Sequence, residues 1–182
     1  MNQEKLDRYC QRVAEWYDAQ PVYDGMADGP YDLAAWEFIK HPPTPGFNVQ
    51  RATQDPYPSY FSMRRSVEST GILFVYDGGE PHPAWSRQDN WLFRVEHDTL
   101  HLQHNLSFSC LNELRVGLEQ GKLHGALARR AIHTETIAQT CWYWYSVQNK
   151  GKEVEHRKYA TQKAVLFPEG WVGELAHILG KA

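Results

Sequence analysis

The sequence predicts a mainly α, compact helical domain with a small β element packed on one side. Three observations carry this. Apolar residues recur at helical spacing along most of the chain. The clearest strand is one apolar, β-rich run, GILFVYDGG at 71–79, closed by Asp-Gly-Gly. The 182 residues contain no internal repeat, low-complexity tract or dividing linker, so residues 1–182 read as a single domain.

The elements follow in order. Residues 3–18 read as an amphipathic helix, with Leu6, Val13, Ala14 and Tyr17 on one face and Pro21 ending it. The turn DGMADGP leads to a second helix near 30–40, where Pro30 suits the first turn and Leu33, Trp36 and Phe38 supply bulk. Five prolines between 41 and 58 make that stretch a loop, with a short strand over Phe47–Val49. Residues 59–69 read as helical, with Phe61, Met63 and Val67 inward. The strand at 71–79 and a loop at 80–90 come next. The central helix is expected from Asn90 or Trp91 to about Ser107. A helical stretch from Cys110 to Gln120, a long helix over 122–149, a charged helix near 152–165 and a short one near 169–179 complete the chain.

Composition bounds the function. Hydrophobic residues make up 42% and charged residues 23%, as in an ordinary globular chain rather than a disordered one. A formal net charge of -3, with both signs spread along the chain, gives no strong nucleic-acid signal. No stretch reaches the roughly 18 apolar residues of a membrane span. The charged start MNQEKLDRYCQRV does not read as a signal peptide, and Cys10, Cys110 and Cys141 read as reduced thiols, so a cytoplasmic protein is expected. Nine histidines, seven tryptophans and ten tyrosines are more than such a chain usually carries, and the aromatics serve equally as core or as a stacking wall.

The chemistry concentrates in RVEHDTLHLQHNL. His97, His101 and His104 stand at i, i+4 and i+7, so a helix puts all three imidazoles on one face. His97 to His101 reads H-D-x-x-H, a spacing with which one helix offers two neutral imidazoles to a divalent ion. The plainer reading is a polar stripe of histidines paired to carboxylates or water. Three ligands from one straight helix rarely reach one ion, so His104 is expected to orient a ligand or contact substrate. Asp98 reads either as a general base or as a ligand. As a ligand it would suit a histidine–aspartate phosphohydrolase, but the earlier His and later Asp of that superfamily find no match. Glu96 is expected to be exposed.

Further ligands are sought on neighbouring helices. Glu113 lies among Leu111, Leu114 and Val116, and Glu135 among Ile132, Ile137 and Ala138. A carboxylate on an apolar face is costly unless it is paired or bound to metal. The competing readings are a solvated acid for Glu113 and a cap or a salt bridge with Arg129 or Arg130 for Glu135. Glu135 is also a catalytic candidate beside Asp98. His133 and Gln139 stand near it as residues that could touch substrate or steady a ligand, and Gln139 shares its helical face. Cys110 is a candidate soft ligand, against the plainer reading of a buried thiol. Arg64–Arg65 and Arg129–Arg130 read as solvated surface, and His82 and Trp85 as the lining of an entrance. G-x-S-x-G and C-x-x-C are absent, which removes a nucleophile elbow and a zinc ribbon.

The order F-R-x-x-H-D, then H, F and E, then E-T-x-x-Q, is similar to the pattern of an uncharacterised family associated with phage and prophage genes. Here the residues are Phe93, Arg94, His97, Asp98, His101, Phe108, Glu113, Glu135, Thr136 and Gln139. DPYP at 55–58 and the His82–Pro83 pair add to the likeness, which spans roughly 55–140. It implies the same metal-site residues and a phage-linked or nucleic-acid-linked role, and it implies no reaction.

The expectation is therefore a metal-dependent enzyme acting on a small-molecule or nucleotide-like substrate. Its ion (zinc, manganese or iron) would be held by His97, His101, Glu113 and Glu135, on helices near 91–107, 110–120 and 122–149. Water activation for hydrolysis leads. A non-haem iron oxygenase and a non-catalytic protein with a structural metal are the alternatives. A di-iron bundle is disfavoured, since its E-x-x-H pairs are missing: position 116 is Val and position 138 is Ala.

Overall fold

The computed structural model describes residues 2–21, 29–79, 81–148 and 160–180. The first helix, α1 (Gln3–Ala19), buries Leu6, Tyr9, Cys10, Val13, Ala14 and Tyr17, the face its periodicity marks. α2 (Pro30–Lys40) starts with Pro30 in its first turn, where the missing N–H costs nothing. It turns Tyr31, Ala34 and Phe38 inward, whereas the expected Leu33 and Trp36 are exposed. The turn read at DGMADGP falls largely outside the described residues.

The β element is a parallel pair, β1 (Asn48–Ala52) and β2 (Ile72–Tyr76), in register from Asn48 with Ile72 to Ala52 with Tyr76. Parallel strands need a crossover, and α3 (Tyr60–Thr70) supplies it. Met63 is buried against Leu73, Val75 and Val95, while Phe61, expected inward, is 70% exposed.

The central helix is α4 (Arg87–Gln103), shifted from the expected bounds at both ends. Ser86 caps the backbone N–H of Asp89 and Asp89 returns the bond, so the capping pair S-x-x-D sets the start three residues before Asn90. The end comes before Ser107 because Asn105 adopts a left-handed conformation (φ 53°) and Leu106 N–H turns back onto the His101 carbonyl, at 2.9 Å.

α5 (Cys110–Lys122) follows. The expected single helix over 122–149 begins instead at α6 (Ala126–His133), because the chain breaks around Leu123–Gly125. There Arg129 donates to the carbonyls of Gly121 and His124. Arg129 and Arg130 are therefore not solvated surface: Arg130 holds the Phe167 carbonyl at 3.0 Å. From α6 the helix continues through a widened π-type turn (Thr134–Ala138), α7 (Gln139–Tyr143) and a second such turn (Trp144–Gln148). Of the charged helix expected near 152–165, residues 151–159 lie outside the described residues, and 160–168 are not helical. α8 (Glu169–Ile178) closes the chain.

Three apolar clusters join these elements. One unites α1, α5, α7 and α8 around Leu114, Ile137 and Phe167. A second links α2 and α6 to Trp85 and the α4 residues Leu92 and Phe93. The third seats the sheet on α4. The helix α4 thus lies between the sheet and the helical layer, and its cleft-facing side carries the chemistry. Among the described residues no helix is long and apolar enough to cross a membrane.

Candidate metal centre

His97 and His101 stand one turn apart on α4, and Glu113 sits in the first turn of α5, where a helix N-terminus favours negative charge. The Nε2 atoms of the two rings are 3.2 Å apart. Glu113 Oε2 lies 3.0 Å from His97 Nε2 and 3.3 Å from His101 Nε2. One donor atom from each residue falls within 4.8 Å of the others, in the one such group of three found among the described residues. Around a tetrahedral ion with ~2.1 Å bonds, donor atoms would be about 3.4 Å apart, so the observed spacing fits a metal.

The tautomers fit as well. His101 Nδ1 lies 2.9 Å from the Leu106 carbonyl, which can only accept, so Nδ1 carries a proton and Nε2 is the nitrogen turned toward Glu113. The Asn105 reversal is what brings that carbonyl beneath the ring. His97 Nδ1 lies 3.0 Å from Gln120 Oε1. The Gln120 amide is oriented by its own NH₂, which donates to Phe93 O (3.1 Å) and Glu96 Oε1 (3.0 Å). His97 therefore also donates from Nδ1 and presents Nε2. Behind Gln120, Glu96 accepts from His124 Nε2 at 2.7 Å, and His124 Nδ1 reaches Glu37 at 3.0 Å. Orienting partners of this kind fix how a ligating histidine points and raise its basicity.

Electrostatics match an ion pair waiting for a cation. Burial alone would depress His97, but the Glu113 hydrogen bond and charge, with Asp98, outweigh it and hold the imidazole at about 9, so without an ion Nε2 carries a proton toward Glu113 whose place a metal would take. Burial likewise pushes Glu113 up, yet the bonds from His101 and His97 prevail and keep it at about 2. Asp98 goes the other way: burial raises it to about 6 against the pull of His97 and His101. It makes no hydrogen bond among the described residues.

The triad opens into a cleft of about 1100 Å³ that also takes in Arg94, Asp98, His82, Glu135 and Gln139. Glu135, expected as a ligand, is not part of the triad. The widened turn at Thr134–Ala138 carries it to another part of the cleft. There it accepts from Tyr31 OH (3.1 Å) and Gln139 Nε2 (2.6 Å), and His82 Nε2 stands 3.3 Å away. Neither Arg129 nor Arg130 pairs with it. His82 is buried rather than at a rim, and its Nδ1 accepts the backbone N–H groups of Ala84 and Trp85. Its proton therefore belongs on Nε2, which makes it a donor and not a neutral ligand.

Other expectations need correction. His104 is exposed at the C-cap of α4, past the last residue whose side chain faces the triad. His133 is buried in the core beside Gly121 and Phe167, away from the cleft. Glu96 is 5% exposed, not a surface acid. Cys110 lines a smaller adjoining pocket with Glu113 without joining the triad, and burial lifts its thiol to about 11. Gln120, Glu96 and His124 had no signal in the sequence. Their roles come from packing between α4, α5 and the break before α6.

Fold and site together define a mainly α domain with a candidate two-histidine, one-carboxylate centre at the wall of a cleft. No family model, curated protein or solved structure matches the chain.

Proposed function

We propose that this protein is a metal-dependent hydrolase whose divalent ion, zinc or manganese, is held by His97, His101 and Glu113. The observation that carries the reading is the convergence of two Nε2 atoms and one carboxylate, with both Nδ1 protons committed to fixed acceptors. A divalent ion at such a site lowers the pKa of water from about 15.7 toward ~7. The rest falls to the chain's own groups. Asp98 lies next to His97 and lines the same cleft. Near 6, its carboxyl can take a proton at neutral pH and return it to a leaving group. Glu135, braced by Tyr31 and Gln139, is placed to accept a hydrogen bond from substrate rather than to bind the ion.

Three protein donors beside a large cleft favour a catalytic site over a structural one, which closes with four. The cleft has the size of small-molecule sites, room enough for the small-molecule or nucleotide-like substrate we propose. The residues of the F-R-x-x-H-D…E-T-x-x-Q pattern support the same place: Phe93, Arg94, His97, Asp98, His101, Phe108, Glu113, Glu135 and Gln139 all line it. The same donor set suits a non-haem iron oxygenase, which is the second reading. The partly buried Asp98, with no hydrogen bond among the described residues, favours hydrolysis.

Elemental analysis of chelator-free, untagged protein tests this, with His97→Ala and Glu113→Gln in parallel. Near-stoichiometric zinc or manganese, lost in both variants, is the expected outcome. Iron would move the reading to oxygen chemistry. A wild type that holds no metal after reloading would overturn it.

A further inference from the structure

Arg94 lies on α4 one turn before His97 and Asp98 and is half-buried in the cleft wall. Its Nη1 spends both hydrogens on backbone carbonyls at the end of β2, Tyr76 O at 3.0 Å and Gly78 O at 2.9 Å. The guanidinium carbon sits 5.5 Å from the centre of the Tyr76 ring. A Cβ on Gly78 would fall 2.6 Å from the Tyr76 ring, so that ring keeps its place beside the guanidinium only with glycine there. The side chain is therefore fixed without any carboxylate partner among the described residues. Its remaining donors, the Nε–H and the Nη2 pair, form the side-on edge of the guanidinium, and nothing described here accepts from them.

A guanidinium edge that opens into a cleft matches two oxygens of a carboxylate or phosphate. Pairing with a neighbouring acid is the structural alternative. Asp98, one helical turn away, feels Arg94 only through space and forms no ion pair with it. The cation is thus held open toward the same cleft that holds the triad.

We infer that Arg94 anchors an oxyanion of the substrate, a phosphate or a carboxylate, by its Nε/Nη2 edge beside the metal centre. This rests on the hydrolase reading for its context but not for its test. The substrate class becomes an anionic ester or amide, oriented by Arg94 with its scissile group toward His97, His101 and Glu113. Glu135 and Gln139 meet the other, hydrogen-bonding part of the molecule.

The experiment is calorimetric titration of inorganic phosphate, and separately of acetate, into wild type, Arg94→Gln and Arg94→Lys, each with and without added zinc, with metal content measured on every sample. Wild type should bind one of the anions, and the stronger one identifies the group. Arg94→Gln should weaken that binding by roughly tenfold to a hundredfold, the worth of a charge-assisted pair, with metal content unchanged. Arg94→Lys, which keeps charge but loses the fork, should fall between. Should Arg94→Gln not fold, Arg94→Lys decides. Equal affinity in wild type and the folded variants, or no binding of either anion to wild type, overturns the anchor. Arg94-dependent binding in a protein that holds no metal keeps the anchor and removes the hydrolase instead.

Discussion

His133 is 1% exposed, and neither of its ring nitrogens has a hydrogen-bond partner among the described residues. Burial first, then the charges of Arg129 and His124, push its pKa down to about 4. The unfolded chain takes up this proton near 6.5 and the folded chain does not, so stability falls as pH drops from about 6.5 to 4. At roughly 1.36 kcal/mol per unit the loss approaches ~3 kcal/mol. Asp98 opposes it, because a carboxyl raised to about 6 favours the folded state as pH falls toward its ordinary value. The wild-type profile alone therefore mixes the two, together with the raised His97 and the lowered Glu113. Urea unfolding of wild type and His133→Leu across pH 4–7 separates them: the variant should lack the acid loss, and parallel profiles would remove His133 as its source. The same residue shows where the sequence stops being legible. His97, His101 and Glu113 were readable because an i, i+4 pair and an acid on an apolar face each state a need. His133 and Glu135 stated the same need and met it differently, one in a core without partners, the other against Tyr31 and Gln139.

At the level of elements, α5 can approach the long helix closely only because its facing positions are glycine. A Cβ on Gly121 would lie 2.0 Å from His133 Nε2, and one on Gly117 would lie 2.8 Å from Thr136 Oγ1. This approach sets where Gln120 stands, and through it the His97 tautomer. Overpacking of this kind costs about 1–3 kcal/mol. Gly121→Ala should therefore lower stability by that amount in urea, and combining it with His133→Ala should restore most of it. An additive double variant would mean that the strain lies elsewhere. Periodicity announced every helix on the described residues, since each buries one face. Their ends were harder. The start of α4 turns on the Ser86–Asp89 pair and its end on one left-handed Asn105, both local choices that an apolar pattern does not register. The break near Leu123–Gly125 was hidden for the same reason, because Arg129 secures it from the following helix.

For the molecule as a whole, the decisive long-range connection is Lys163. Read as part of a charged helix, it is instead 6% exposed, with its ammonium on the carbonyls of Tyr17 (2.6 Å), Asp18 (2.9 Å) and Gln20 (2.8 Å). Those carbonyls cluster at the end of α1, where positive charge is favoured. Tyr17 OH answers by donating to the Thr161 carbonyl at 2.9 Å, and residues 160–162 form part of the cleft wall. The N-terminal helix and the wall that faces substrate are therefore fastened to each other, and they should open and close as one cooperative unit. In amide hydrogen exchange, Lys163→Met should speed the last turn of α1 and residues 160–165 together and leave α3 at its wild-type rate. Independent rates for the two segments would show that they are separate. If they are joined, breathing of the cleft wall is set by the fraying of a helix end on the far side of the chain, and a ligand in the cleft will slow exchange in α1 without touching it.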